Sequence, residues 1–523
     1  MYNNYKEITL GAEAMVQRCF GMALAGIDAF PVIIEADITT GLPAFDIVGL
    51  PDAAVKESRD RVRSAMRNCG YDYPVGRITI NLAPADIKKE GPLYDLPILV
   101  ALLKRTGQLC ADIDDAVFIG EISLSGTVRA VNGILPMTID AMNAGYKRIF
   151  IPSDNAREAA VVQGIEVYPV DNIKTLCSHL SGRSRIPQAI PDNTPDESIS
   201  GYNIDFSQVM GQYDAKRAIE IAAAGSHNIL LIGPPGSGKS MLAQRVPTIL
   251  PDMTFEETIE TTKIYSIAGL LPEGSPLITK RPFRSPHHSA SPMGITGGGR
   301  TPKPGEISLA NNGVLFLDEL PEFSKFTMEA LRQPLEDGKV TISRVSGTLT
   351  YPCNISLICA MNPCPCGYYG DPTKHCTCTP NAVKKYLNKI SGPLLDRIDL
   401  HVEVPAAKYD ELSSTIPAES SAEIRKRVNA AREIQTQRYK GTGISCNARI
   451  NAELLHKVCV LDKKADSALK RSFEKLGLSS RAYTKVLKVA RTIADLEGEE
   501  IIKFEHISEA LQFRSLDRKY WNR

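Results

Sequence analysis

Gly233-Pro-Pro-Gly-Ser-Gly-Lys-Ser240 follows the apolar run Asn228-Ile-Leu-Leu-Ile232 and precedes Met241 to Val246, a helix start. The stretch fits G-x-x-x-x-G-K-[ST], and the run before it predicts a buried strand. Strand, glycine loop and helix in that order make a phosphate cradle. Glycines let backbone N–H groups converge on an anion, and the helix N-terminus adds the positive end of its dipole. In such a cradle Gly233, Pro234, Pro235, Gly236, Ser237 and Gly238 wrap the phosphates. Lys239 would reach the β- and γ-phosphates of ATP, and Ser240 would ligate Mg²⁺. A glycine-rich turn without a ligand is the bland alternative, and the flanking strand and helix weigh against it.

Further along, Gly313-Val-Leu-Phe-Leu-Asp-Glu319 is an apolar run ending in two acids. A buried strand there would deliver Asp318 beside Ser240 to hold the Mg²⁺ and its waters. Glu319 is placed to polarise an attacking water. Ile355-Ser-Leu-Ile-Cys-Ala-Met-Asn362 predicts another buried strand, tipped by an amide that could orient that water or sense the γ-phosphate. Arg397, in Gly392-Pro-Leu-Leu-Asp-Arg-Ile-Asp399, reads either as an ordinary ion pair with Asp396 or Asp399 or as an arginine finger. Arg481 opens a helix at Leu478-Ser-Ser-Arg-Ala482 and could bring a second cation to the nucleotide.

The chain has 523 residues, enough for about three domains. Its 61 Lys+Arg balance 60 Asp+Glu, so any nucleic-acid surface must be local. No apolar run approaches a membrane span. Glu7 and Glu13 stand where a secretory signal would have a basic and then an apolar region. Twelve cysteines without such a signal point to reduced thiols or metal ligands, and the expected location is cytoplasmic.

Residues 1–180 alternate strand-like runs (Val32–Ala36, Arg77–Asn81, Val117–Ile119, Arg148–Ile151) with helical ones (Ala53–Asn68, Leu96–Lys104, Met137–Ala144), a mixed α/β domain. Residues 181–205 read as a linker, Ser- and Pro-rich over their first twenty positions. A second α/β unit follows at 206–405. Residues 406–523 show helical spacing at 422–439, 451–475, 480–496 and 504–513.

These elements, in this order, resemble an AAA+ P-loop ATPase. Arg281-Pro-Phe-Arg-Ser-Pro-His-His-Ser289, Pro304-Gly-Glu-Ile-Ser-Leu-Ala310 and Leu331-Arg-Gln-Pro-Leu-Glu-Asp-Gly338 look like signatures of its magnesium-chelatase-like group. Nearly the whole chain resembles the YifB/ComM family. The resemblance implies an AAA+ core with a helical C-terminal lid, and a homo-hexamer, since a finger needs a neighbour. It also implies that Asn362 is sensor 1, Arg397 the finger given in trans and Arg481 sensor 2.

Lys88-Lys-Glu-Gly-Pro-Leu-Tyr-Asp95 and Gly120-Glu-Ile-Ser-Leu-Ser-Gly-Thr-Val-Arg129 resemble the Lon protease domain. Where that family carries its nucleophilic Ser and its Lys, this chain has Leu93 and Leu135. A leucine can neither attack a carbonyl nor take a proton, so a Lon-like fold without the dyad is expected.

From Ser275 to Gly305 there is no acid, while Lys280, Arg281, Arg284, Arg300 and Lys303 are cationic and Gly297-Gly-Gly299 promises mobility. Lys339 to Thr350 alternates like a hairpin around Ser346-Gly347, with Arg344 near its tip. Arg284, Arg300, Lys303 and Arg344 are therefore candidate contacts to a DNA backbone, the alternative being a solvated loop. The pair His287-His288 is a weak metal signal. Cys364-Pro-Cys and Cys376-Thr-Cys378 supply four thiols in one short loop, either a Zn²⁺ site or four reduced thiols.

The reading that joins these features is an ATP- and Mg²⁺-dependent hexameric motor on branched or single-stranded DNA, a helicase or branch-migration translocase. Its rivals are a chelatase-type motor remodelling a protein partner, a Lon-like peptidase and a slow nucleotide-gated scaffold. Leu93 and Leu135 oppose the peptidase, and Glu319 with Arg397 opposes the scaffold.

Overall fold

A computed structural model describes residues 17–191, 204–272, 275–299, 302–344, 347–372, 374–406, 418–476 and 479–521. The chain divides into two compact units. The first holds the N-terminal residues through Asp196 together with Thr262–Ile278 and Ser343–Leu349; the second holds the rest.

The first unit is built on a seven-stranded mixed sheet with strands ordered Ala44–Val48, Arg77–Ala83, Asp28–Thr39, Gln17–Ala25, Ala116–Phe118, Arg148–Pro152 and Glu166–Val170. Gln17–Ala25 and Asp28–Thr39 form an antiparallel hairpin, Gln17 facing Ala36 and Ala25 facing Asp28. Alternation puts Val32, Ile34 and Ala36 inward. Helix Ala53–Asn68 starts where Asp52 accepts a hydrogen bond from the Val55 amide at 2.8 Å. It buries Val55, Ser58, Val62, Ala65 and Met66, one stripe at helical spacing. Helix Asp95–Arg105 is buried from Asp95 to Leu103, as its almost continuous apolar sequence requires.

Asp95 is fully buried and fully partnered. It accepts from Arg61 Nε at 2.6 Å, from Arg61 Nη2 at 3.0 Å, from the Ile122 amide at 3.1 Å and from the Ser58 hydroxyl. Leu93 and Leu135 both lie in the hydrophobic core of this unit. The backbone amide of Leu135 donates to buried Glu158, which also accepts from the Ser266 hydroxyl.

The second unit contains a five-stranded sheet, ordered Phe283–Arg284, Val314–Leu317, Ser356–Met361, Ile229–Ile232 and Leu400–Glu403. Every pairing in it is parallel. The helices after residue 418 are Ser421–Arg438, Ala452–Val458, Lys463–Leu476, Ser480–Leu496, Phe504–Gln512 and Ser515–Trp521. All but the last of these share one core with the sheet: Ile229, Leu231, Val314 and Leu400 cluster with Ile424, Val428, Val486, Ile493 and Ile507. Buried Asp495 ties two of these helices together, accepting from Arg438 Nη1 at 2.8 Å and from Arg491 Nε at 3.1 Å.

The segment 451–475, which reads as one helical stretch, is two helices. The break lets the Val460 carbonyl accept from the Ile502 amide at 2.9 Å, and Asp462 Oδ1 then accepts from the Ala465 amide. The expected linker is described only at 181–191 and 204–205; it is neither helix nor strand there.

Removing Asp95 strands a largely buried guanidinium. We expect Asp95→Ala to destabilise the first unit by about 3 kcal/mol or more. Urea unfolding, followed by far-UV circular dichroism, measures it; a loss under about 1 kcal/mol would mean that Arg61 finds water instead.

Candidate active site

The phosphate loop leaves the sheet at Ile232, whose register partner is Met361. A Cβ on Gly233 would lie 2.1 Å from the Val404 carbonyl oxygen, so only glycine passes there. Gly238, at φ +90, turns the chain into helix Lys239–Arg245. Lys239 is buried, and its Nζ donates to the Gly233 and Pro234 carbonyls, both at 2.8 Å, and to Asn362 Oδ1 at 3.2 Å. Ser240 Oγ donates to Asp318 Oδ2 at 2.6 Å. Loop, Asp318 and Asn362 each follow the end of a neighbouring parallel strand, and the structure brings all three together.

Burial pushes the Lys239 ammonium down to about 8, against the pull of Asp318 and Glu319. Glu319 sits at φ +52, a left-handed conformation that is strained for a side chain of its kind. Its carboxylate is exposed, and Asp318 Oδ1 accepts from the Glu319 amide at 2.9 Å. His288 Nδ1 lies 3.9 Å from Glu319 Oε2. The sequence marks His288 only as half of a histidine pair; its place beside Glu319 is a tertiary fact. Gln212, another residue without a sequence signal, donates from Nε2 to the Ser237 and Pro405 carbonyls at 3.3 and 2.7 Å.

The outlying cations are differently placed. Arg397 has partners beyond its sequence neighbours Asp396 and Asp399. Its Nε donates to the Arg332 carbonyl at 2.9 Å, its Nη1 to the Pro393 carbonyl at 2.7 Å, and Nη2 pairs with Glu336. Asp399 takes Lys485 instead, at 2.8 Å, and Lys485 with His227 holds its carboxyl well below the usual range despite burial. Arg481 is exposed in the first turn of helix Ser480–Leu496, which Ser479 caps by accepting from the Ala482 amide at 3.2 Å.

Arg284, a candidate DNA contact, has a partner within the chain. It lies in the edge strand Phe283–Arg284, and Nε and Nη2 donate to the Glu306 carboxylate at 2.7 and 2.8 Å. The acid-free window ends one residue before that partner. Arg281 is likewise engaged, by Glu257 at 2.7 Å and by the Pro251 and Asn312 carbonyls. Lys303 is exposed in a small antiparallel ribbon with Gly297–Gly298. Arg300 lies outside the described residues, and Arg344 ends the strand Lys339–Arg344, which forms the expected hairpin with Gly347–Pro352. The sulfurs of Cys364, Cys366, Cys376 and Cys378 all lie within 4.8 Å of one another.

Residues 205–412 match the family model "Magnesium chelatase, subunit ChlI". Residues 34–155 match "Subunit ChlI of Mg-chelatase", and residues 418–514 match "Magnesium chelatase, subunit ChlI C-terminal". The YifB protein of Escherichia coli (strain K12) is 45% identical over 498 residues, 95% of this chain and 96% of its own. The competence protein ComM of Haemophilus influenzae is 43% identical over 506 residues, 95% of this chain and 97% of its own. The chain belongs to the YifB/ComM family of magnesium-chelatase-like proteins. A Lon protease of Mycolicibacterium smegmatis is also similar, 27% identical over 165 residues, which is 29% of this chain and 21% of that protein.

Membership makes the chain an AAA+-like ATPase, of a family that uses ATP and Mg²⁺. The residues fit both. Ser240 and Asp318 put a hydroxyl and a carboxylate oxygen side by side, the hard donors that Mg²⁺ takes, and Lys239 supplies a desolvated cation for the phosphates. Mg²⁺, when bound, neutralises charge on the β- and γ-phosphates. Among the described residues no helix is long and apolar enough to cross a membrane.

Because Lys239 is lowered to about 8, the free protein loses that proton just above neutrality, and binding a polyanion must restore it. ATP affinity should therefore fall about tenfold between pH 7 and pH 9, with proton uptake on binding. Calorimetric titration in buffers of different ionisation enthalpy measures both. Lys239→Arg, which stays charged, should flatten the profile; a flat wild-type profile would remove this reading.

Proposed function

We propose that this chain is an ATP-hydrolysing motor that works on DNA as a hexameric ring in the cytoplasm, a helicase or branch-migration translocase serving recombination or natural transformation. The observation that supports it most is the Ser240–Asp318 hydrogen bond, with Glu319 next in chain, in a protein 43% identical to a competence protein over 95% of its length. Lys239, Ser240 and Asp318 hold the nucleotide and its metal. Glu319 polarises the attacking water and Asn362 orients it. Arg397 reaches a neighbour's γ-phosphate once Glu336 releases it, and Arg481 serves the nucleotide from the helical residues 406–523. Any Zn²⁺ at the cysteine loop is structural and takes no part in hydrolysis. The layout behind this reading is a Lon-like domain at 1–180, a linker at 181–205, an ATPase core at 206–405 and a helical lid at 406–523.

Arg284, Arg300, Lys303 and Arg344 are the candidates for the DNA backbone, Arg284 once it leaves Glu306. A second reading, a chelatase-type motor that remodels a protein partner, draws support from the three magnesium-chelatase matches. A Lon-like peptidase is opposed by Leu93 and Leu135, which sit in the core as apolar side chains.

ATP turnover with four-way, forked and single-stranded DNA, with a porphyrin as control, separates the two motors. We expect stimulation by DNA and none by porphyrin. Glu319→Gln should bind ATP as wild type does and hydrolyse it about 100-fold more slowly or worse. Lys303→Ala with Arg344→Ala should flatten the salt dependence of junction binding by about one unit of log–log slope for each phosphate left without its cation. Unchanged slope together with absent DNA stimulation would favour the chelatase-type motor.

A further inference from the structure

The loop that follows Asn362 has its own chemistry. Among its described residues the chain forms neither helix nor strand between Met361 and Pro380, a long stretch to hold in one shape without a cross-link. Four free thiols converge inside it. Sγ–Sγ separations are 3.3 Å for Cys364–Cys366, 3.5 Å for Cys366–Cys376 and 3.7 Å for Cys364–Cys376, and Cys378 completes a group no wider than 4.8 Å. A tetrahedral ion with Zn–S bonds of about 2.3 Å requires sulfurs about 3.8 Å apart. A cluster with bridging sulfides would spread its cysteines farther, so the group suits one ion. Backbone amides also lie near the sulfurs: those of Tyr368 and Thr377 beside Cys366, that of Cys378 beside Cys376 and that of Cys366 beside Cys378. N–H···S bonds from amides so placed orient thiolate ligands around a metal. Soft sulfur donors in a closed tetrahedron select Zn²⁺ over the hard cations.

The loop is also seated on the nucleotide pocket. A Cβ on Gly367 would lie 2.4 Å from Cδ of Pro235, so its backbone presses on the phosphate loop directly. Buried Cys364 stands two residues after Asn362, whose amide oxygen accepts from Lys239. Across the loop, Gly370 faces Lys519, which pairs at 2.7 Å with Glu403 at the end of the strand beside the phosphate-loop strand.

We propose that Cys364, Cys366, Cys376 and Cys378 bind one structural Zn²⁺ and that the knuckle so formed braces the ATP pocket, holding Pro235 and Asn362 in place. The brace rests on Lys239 and Asn362 being nucleotide contacts; the zinc does not.

Elemental analysis of full-length protein purified without chelator should find one zinc per chain. Cys376→Ser with Cys378→Ser should abolish it, whereas Cys110→Ser, at an exposed and distant thiol, should not. Zinc loss should weaken binding of a non-hydrolysable ATP analogue about tenfold, or about 1.4 kcal/mol. If the double variant fails to fold, wild-type protein stripped of metal and refilled with Co²⁺ should show the visible and charge-transfer bands of a tetrahedral tetrathiolate. Metal-free protein that gives no such bands would overturn the zinc site. Zinc whose removal leaves analogue affinity unchanged would overturn the brace. A wild-type protein that holds zinc and yet binds no ATP would instead refute the nucleotide reading.

Discussion

A parallel sheet carries whatever follows its strands to one edge, and the chemistry of this protein depends on that constraint. Ile232 pairs with Met361 and Leu317 with Cys359, so the phosphate loop, Asp318 and Asn362 emerge side by side. The Ser240–Asp318 hydrogen bond spans two of those strand ends and fixes the distance between the cradle and the acid. None of these residues is near another in sequence; their meeting is a property of strand order. The fifth strand is anchored at its start by Asp399, which accepts from the Asn228 amide at 3.0 Å and pairs with Lys485. A buried carboxylate held by a helix and by the base of the phosphate-loop strand resists sliding of either, since moving one partner leaves a charge unpaired in a poor solvent.

The first unit presents the converse case, a core without polar groups where a Lon-like reading would need a Ser and a Lys. Leu93 and Leu135 are core residues. The polar network of Asp95 with Arg61 and Ser58 is saturated by its own hydrogen bonds. Architecture alone carries no activity.

Local rules were enough for much of this. Helix Ala53–Asn68 was legible because Asp52 caps it and its apolar residues repeat at helical spacing. The strands around the pocket were legible as short apolar runs ending in the polar groups Asp318 and Asn362. What failed to show was partnership at a distance. Arg284 read as a backbone contact because Glu306, its partner, lies just past the acid-free window, and Arg397, readable as an ion pair with Asp396 or Asp399 or as an arginine finger, pairs with Glu336. His288 beside Glu319, Lys485 on Asp399 and Gln212 on the phosphate loop carry no periodic or spacing signal. The inclusion of Thr262–Ile278 and Ser343–Leu349 in the first unit is likewise invisible in sequence, because only tertiary packing defines it.

The strand order also has a consequence in time. Ile229–Ile232 pairs with Ser356–Met361 on one side and with Leu400–Glu403 on the other, each made long after it. The outer strand is covered later still, where the His401 amide donates to the Phe513 carbonyl at 2.8 Å and Lys519 meets Glu403. At a synthesis rate of about 5–20 residues per second, roughly ten to thirty seconds separate Ile232 from Glu403 on the ribosome. Throughout that interval Ile-Leu-Leu-Ile offers unpaired backbone and apolar side chains to anything nearby. The arrangement that assembles the pocket therefore builds slow, non-local closure into the topology.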